Sequence, residues 1–190
     1  MPQVSVKGKL IDAAEDVFRR QGFSGASVQD ITTAAGVPKG SFYNHFASKQ
    51  VLTAEIMRRY VSNIDLSALR DDQLAPVERL RAHLTSQIDR TESTGVEFGC
   101  LIGTLASDGP TAGDAVRSEV AQGLQLWTDA LAEAVRTGQQ TGDITTAKSA
   151  EVLAAFLIDA LQGSALRAKA TGNSAGVLET LDAILFALRP

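Results

Sequence analysis

Apolar residues recur three and four positions apart over most of the chain, the spacing of amphipathic helices, and this predicts an all-α fold. The first stripe is Leu10, Ile11, Ala14, Val17 and Phe18, with Gly22 placed to end it. Ser27 followed by Asp30 makes a capping-box-like start, so a second helix begins near Val28. Val28, Ile31 and Ala35 continue it, and Gly36 offers the left-handed position that a sharp helix end needs. Pro38 has no N–H to lose in a first helical turn, and Phe42 and Phe46 put two rings on one face that must be buried. Two short helices joined by a tight turn, braced by the first helix, constitute a helix-turn-helix.

Ser48 is placed to cap a fourth helix bearing Leu52, Ile56 and Tyr60, read as a lever running from Lys49 to Ile64. Asp71, Asp72 and Gln73 mark a break before Pro76, which starts a helix with Val77, Leu80, Leu84 and Ile88. Between Thr94 and Gly113 the pattern is interrupted by Gly95, Gly99, Gly103, Gly109 and Pro110, leaving room for one short helix around Cys100 to Ala106. A long helix follows through Val116, Val120, Leu124, Trp127, Leu131 and Val135, with Gly138 and Gly142 ending it. Two last helices carry Val152, Leu153, Phe156, Leu157, Ala160 and Leu161, then Val177, Leu178, Leu181, Ile184, Leu185 and Leu188, with Gly172 and Asn173 between. Both are more apolar than a single covering layer requires, and Ala160, Gly163 and Ser164 let another helix approach closely, as a partner surface would. The organisation predicted is a helix-turn-helix domain over 1–50 and a second helical domain over 51–190.

Charge sharpens this division. The net charge of −4 hides eight Lys and Arg against five Asp and Glu in residues 1–60, a net of +3, and ten against seventeen in residues 61–190, a net of −7. The positive part coincides with the helix-turn-helix, and local positive charge is what phosphate contacts need. The N-terminus lacks an apolar signal core and no run approaches the roughly 18 apolar residues of a membrane span, so a cytoplasmic protein is expected. One cysteine excludes an internal disulfide, and with two histidines it makes no metal-ligand spacing, so neither metal nor cofactor is expected.

The outer face of the second short helix offers Lys39, Ser41, Tyr43, Asn44 and His45, with Lys49 just beyond. The ordered run Val37-Pro38-Lys39-Gly40-Ser41-Phe42-Tyr43-Asn44-His45-Phe46-Ala47-Ser48-Lys49 resembles the signature of the TetR family of bacterial repressors, and the resemblance extends over about residues 7–56. Two departures are Pro38, where the family often has a small polar residue, and Thr32, where it usually has Ala; Thr32 is expected to loosen the packing of the helices. The resemblance implies a homodimer on an inverted-repeat operator in double-stranded DNA, with residues 1–50 as the DNA-binding domain and residues 51–190 as the effector-binding and dimerisation domain. Lys39, Gly40, Ser41 and Asn44 would approach base edges, and Ser27, Tyr43, His45 and Lys49 would hold phosphates, with Val28 and Gln29 near the groove wall. It further implies that the last two helices pair with their symmetry mates as a four-helix bundle, through Phe156, Ala160, Gly163, Ser164, Leu178, Leu181 and Leu185.

Cys100 lies in Glu97-Phe98-Gly99-Cys100-Leu101-Ile102-Gly103 and has two readings. One is a small buried apolar residue; the other is a thiol at a helix start, where the dipole favours thiolate. This segment resembles the Gly-Cys-Leu branch of the family, which includes repressors of electrophile and quinone detoxification. His83 is the candidate partner of the thiol. Cys100, Thr104, Asp108, Gln125, Trp127 and Phe156 are the expected lining of a mainly apolar effector cavity. A cysteine enzyme would need a base nearby, yet only His45 and His83 exist, and no phosphate-binding glycine loop or carboxylate pair stands out. The reading is therefore a ligand-responsive repressor rather than an enzyme, released from its operator by a small hydrophobic or electrophilic effector. The alternative is a helix-turn-helix regulator controlled by a protein partner or acting as an activator.

Overall fold

The structure, a computed structural model, describes residues 5–95 and 99–190. Glu97 and Phe98 of the cysteine motif lie outside the described residues. In chain order the helices are α1 (Val6–Gly25), α2 (Val28–Ala34), α3 (Gly40–Tyr43), α4 (Lys49–Ser62), α5 (Pro76–Thr94), α6 (Leu101–Ser107), α7 (Gly109–Ala112), α8 (Asp114–Thr141), α9 (Ala150–Thr171) and α10 (Ala175–Ala187), with a turn of 3-10 helix at Ala68–Arg70. Among the described residues there is no strand. The helices gather into two compact units, Met1–Asn63 with Cys100–Gly123, and Ile64–Gly99 with Leu124–Pro190.

In the first unit the expected apolar stripes become a core. Leu10, Ala14, Phe18, Ile31, Phe42, Leu52 and Ile56 are fully buried. The capping box of α2 is complete: Ser27 Oγ accepts from the Asp30 amide, and the Asp30 carboxylate accepts from the Ser27 amide. Thr32 is fully buried, and its hydroxyl is satisfied within its own helix, donating to the carbonyls of Val28 and Gln29 at 3.0 and 3.1 Å. Gly36, with φ 65°, makes the turn into α3. Although α3 is short, helical hydrogen bonds from Ser41 to Pro38 and from Phe46 to Phe42 lengthen the turn on both sides, and the two rings stand 5.7 Å apart.

Helix α1 does not end at Gly22 but runs on to Gly25 across a kink there, with φ 70° and ψ 179°, and three more boundaries differ from the expected ones. Helix α4 ends at Ser62 rather than Ile64, closed by the Asn63 amide on the Arg59 carbonyl. The glycine-broken stretch holds a second short helix, α7, because Pro110 occupies a first-turn position where its missing N–H costs nothing. Gly138 lies inside α8 instead of ending it. A Cβ there would stand 2.5 Å from Ile144 Cδ1 and 3.1 Å from Pro76 Cβ, so its smallness serves packing, and Gly142, with φ 81°, stands at the helix end.

The second unit packs α5, the Leu124–Thr141 part of α8, α9 and α10 around Leu80, Leu84, Leu131, Val135, Leu157 and Leu181. Within it the buried Trp127 indole donates to His83 Nε2 at 2.8 Å, and His83 Nδ1 lies 3.0 Å from the Asp65 carbonyl. An indole N–H at Nε2 places the ring proton on Nδ1, where it donates to Asp65. Both ring nitrogens are thus occupied, and the expected pairing of His83 with Cys100 is replaced by this relay. Burial pushes the His83 pKa down to about 4, the Asp65 carbonyl and carboxylate opposing only in part. A histidine whose folded pKa lies below its unfolded one stabilises the fold at neutral pH, and that contribution is lost as pH falls from about 6.5 to about 4, by up to about 3 kcal/mol. Urea unfolding at pH 7 and pH 4.5, followed by Trp127 fluorescence, should therefore show a stability loss that shrinks in His83→Leu; an equal acid slope in both proteins contradicts the assignment.

Candidate DNA-binding site and neighbouring clusters

The recognition face is built by contrast across α3. Phe42 and Phe46 anchor the inner side at 0% and 1% exposure, which turns Tyr43, 60% exposed, outward. Lys39, Gly40, Asn44 and His45 are exposed alongside it and Ser41 is half-buried. A Cβ on Gly40 would meet nothing within 4 Å, so the fold itself has no need of glycine there. On α2, Ser27 and Gln29 are exposed and Val28 half-buried. Two of these side chains already have local partners: Gln29 donates to Thr33 Oγ1 at 3.2 Å, and the Ser27 hydroxyl donates to Asp30 at 2.6 Å. Those bonds from Ser27 hold the Asp30 carboxyl below the usual carboxylate range.

Lys49 is committed differently from the surface side chains. Its ammonium donates to the carbonyls of Phe23 and Ala26, both at 2.6 Å, and sits 4.0 Å from the centroid of the Phe23 ring. Burial pulls its pKa down, partly offset by Asp108. Asp108 approaches the same corner. Its carboxylate accepts from the Phe23 amide at 2.6 Å and from Ser24 Oγ at 2.8 Å, and Ser24 Oγ is also 2.8 Å from Thr111 Oγ1. Gly22 makes room, since its φ of 70° suits glycine and a Cβ there would lie 2.6 Å from the Asp108 oxygen. No sequence pattern pairs Phe23 with Asp108, because the two stand eighty-five positions apart.

A second cluster in this unit surrounds Cys100, which precedes the first residue of α6. Its sulfur is 3.6 Å from the Tyr60 hydroxyl, and the Arg19 guanidinium lies 5.1 Å from the Tyr60 ring centroid. Arg19 is buried and paired with Glu15 at 2.9 Å. Burial opposes its charge, but the Glu15 hydrogen bond and the nearby Tyr60 and Cys100 outweigh this and raise its pKa. Of the other expected effector residues, Thr104 is half-buried one turn on in α6 and Asp108 is engaged as described. Gln125, Trp127 and Phe156 belong to the other unit, where Gln125 is exposed and donates to Asp129, Trp127 is buried against His83, and Phe156 is exposed.

The expected dimer residues divide into two layers. Phe156, Gly163 and Leu178 are exposed, and a Cβ on Gly163 would meet open space. Ala160 is half-buried. Ser164 is buried with its hydroxyl on the Leu161 carbonyl, and Leu181 and Leu185 are buried at 2% and 3% in the subunit's own core. Val152 and Phe186 are also exposed on α9 and α10, and the sequence reading did not assign them to this face.

A capped helix, a glycine turn and a second helix presenting polar side chains over an aromatic anchor define a helix-turn-helix DNA-binding regulator. Residues 10–56 match the family model described as bacterial regulatory proteins, tetR family, and residues 76–184 that of the tetracyclin repressor-like C-terminal domain. The chain belongs to the TetR family of transcriptional regulators. It is 34% identical to the HTH-type transcriptional repressor DhaR of Mycobacterium sp. (strain GP1), across 100% of this chain and 96% of that protein. It is 30% identical to the transcriptional regulator AcuR of Cereibacter sphaeroides, across 84% and 74% of the respective chains. Among solved structures, the regulatory protein TetR from Rhodobacter sphaeroides superposes with a TM-score of 0.86 at 26% identity, covering 94% of this chain and 96% of that one. The Ser27–Lys49 geometry described above is thus that of a DNA-binding transcriptional repressor fold.

Proposed function

We propose that this protein is a cytoplasmic, ligand-responsive repressor that binds an inverted-repeat operator as a homodimer and is released by a small hydrophobic or electrophilic effector. Residues 1–50 read DNA, with Lys39, Gly40, Ser41 and Asn44 at base edges and Ser27, Tyr43 and His45 on phosphates beside Val28 and Gln29. Lys49 acts mainly by holding the corner that carries them. Residues 51–190 receive the effector and dimerise. An effector works by favouring a separation of the two recognition helices other than the about 34–36 Å that matches one turn of DNA.

The observation that carries the electrophile reading is the setting of Cys100: a sulfur beside the Tyr60 hydroxyl, with the buried Arg19 cation on that tyrosine's ring. A quinone would be attacked by the thiolate at a ring carbon: the S–C bond forms and the displaced electron pair moves to a carbonyl oxygen, which takes a proton from solvent, and the hydrogen of the attacked carbon then shifts as a proton to the second oxygen, giving the aromatic hydroquinone adduct. The adduct adds volume beside packed helices and so biases the spacing. The test is release from operator DNA on adding 1,4-benzoquinone to wild type and Cys100→Ser. Release of the wild type alone is expected. Equal behaviour of the two proteins rejects the cysteine as sensor and favours a reversible, non-covalent effector.

A further inference from the structure

After the kink at Gly22 the last residues of α1, Phe23 to Gly25, lead through Ala26 to the Ser27 cap of α2, and this corner is gripped by opposite charges. Asp108, between α6 and α7, takes the Phe23 amide and the Ser24 hydroxyl; Lys49, at the start of α4, takes the Phe23 and Ala26 carbonyls. The two groups therefore hold both faces of the Phe23 peptide units. Gly22 is shaped to this grip, for any side chain there would collide with the Asp108 carboxylate. The sequence reading gave Asp108 to an effector, but its oxygens are already spent on this corner.

We propose that Asp108 is a positioning residue for DNA binding: by fixing the Phe23–Ala26 corner it sets where α2 begins and hence how α3 is presented to the major groove. It touches no DNA itself. Removing an acid from a DNA-binding unit by itself raises affinity, because repulsion of phosphates is relieved. Loss of positioning lowers affinity, so the sign of the change decides. A charge-assisted hydrogen bond is also among the strong ones, and an amide left without its acceptor adds its own cost.

The experiment measures binding of the full-length protein to its selected operator duplex by fluorescence anisotropy across a salt titration, for wild type, Asp108→Ala, Asp108→Asn and Ser24→Ala. Asp108→Ala is expected to bind about tenfold more weakly and Ser24→Ala about threefold. Asp108→Asn, which keeps an oxygen for the Phe23 amide, should recover most of the loss. The salt dependence stays that of wild type, since no phosphate contact is removed. Amide exchange over residues 23–36 should accelerate in the free Asp108→Ala protein while that over 76–94 does not. Should Asp108→Ala fold poorly, Ser24→Ala, an exposed residue, carries the test. Unchanged or tighter operator binding by Asp108→Ala and Ser24→Ala overturns the proposal, as does weaker binding without faster exchange over 23–36.

Discussion

Replacing Phe156 and Leu178 together by glutamate should turn the protein into monomers and weaken operator binding by about a hundredfold or more. Both side chains are exposed, at 43% and 50%, on the two helices proposed to meet a symmetry mate. Burying four like charges per dimer in an apolar bundle is far costlier than leaving them in water. Once the subunits part, each half-site must be bound independently, and the avidity lost with the linkage is on the order of 100- to 10,000-fold. Exposed positions leave the subunit's own fold untouched, whereas Leu181→Arg would force a charge into the core, where Leu181 is 2% exposed, and would confuse unfolding with dissociation. Sedimentation at micromolar concentration checks the result; a dimer that survives the double substitution removes α9 and α10 from the interface.

Gly40→Leu should have a comparable effect on DNA binding with almost none on stability. A Cβ at Gly40 meets nothing within 4 Å, so the larger side chain fits the free protein. If the α3 backbone comes against the base edges, a leucine there holds the whole recognition helix out of the groove, and affinity should fall more than about a hundredfold. Asn44→Ala should instead cost about 1–3 kcal/mol and relax the preference at one base pair. Circular dichroism melting and operator titration distinguish these outcomes. A Gly40→Leu protein that binds operator as wild type does would move the recognition surface elsewhere.

What the sequence revealed follows the range of the interaction involved. Ser27 and Asp30 satisfy each other within one helical turn, and Phe42 and Phe46 mark a buried face by spacing alone, so the helix-turn-helix was legible from local pattern. Gly138 was misread because its neighbours, Ile144 and Pro76, are a tertiary matter, and a glycine that is small for packing looks the same in sequence as one that ends a helix. Leu181 and Leu178 illustrate the same limit. Both sit among the leucines and other apolar residues of one helix, and only the packing of α10 on its neighbours decides that one is core and the other exposed. Asp108 and His83 were given to the effector and to Cys100 because polar residues near a glycine-broken segment suggest a site. Their partners, a backbone amide eighty-five positions away and an indole forty-four away, leave no trace in local pattern. For Trp127 a rule existed, since a buried indole N–H wants an acceptor, but the rule does not say which of the many carbonyls, hydroxyls, amides and imidazoles it is.

A dimer of this chain is proposed to read two symmetric half-sites with α3. Selection of bound duplexes from a random library by the purified protein, followed by footprinting on the enriched sequence, distinguishes this from other modes of binding. The expected result is an inverted repeat whose half-site centres lie about one helical turn, 10–10.5 base pairs, or a multiple of it apart, protected on one face of the duplex. Enrichment of a single unrepeated half-site, or of no sequence above the starting library, would contradict it.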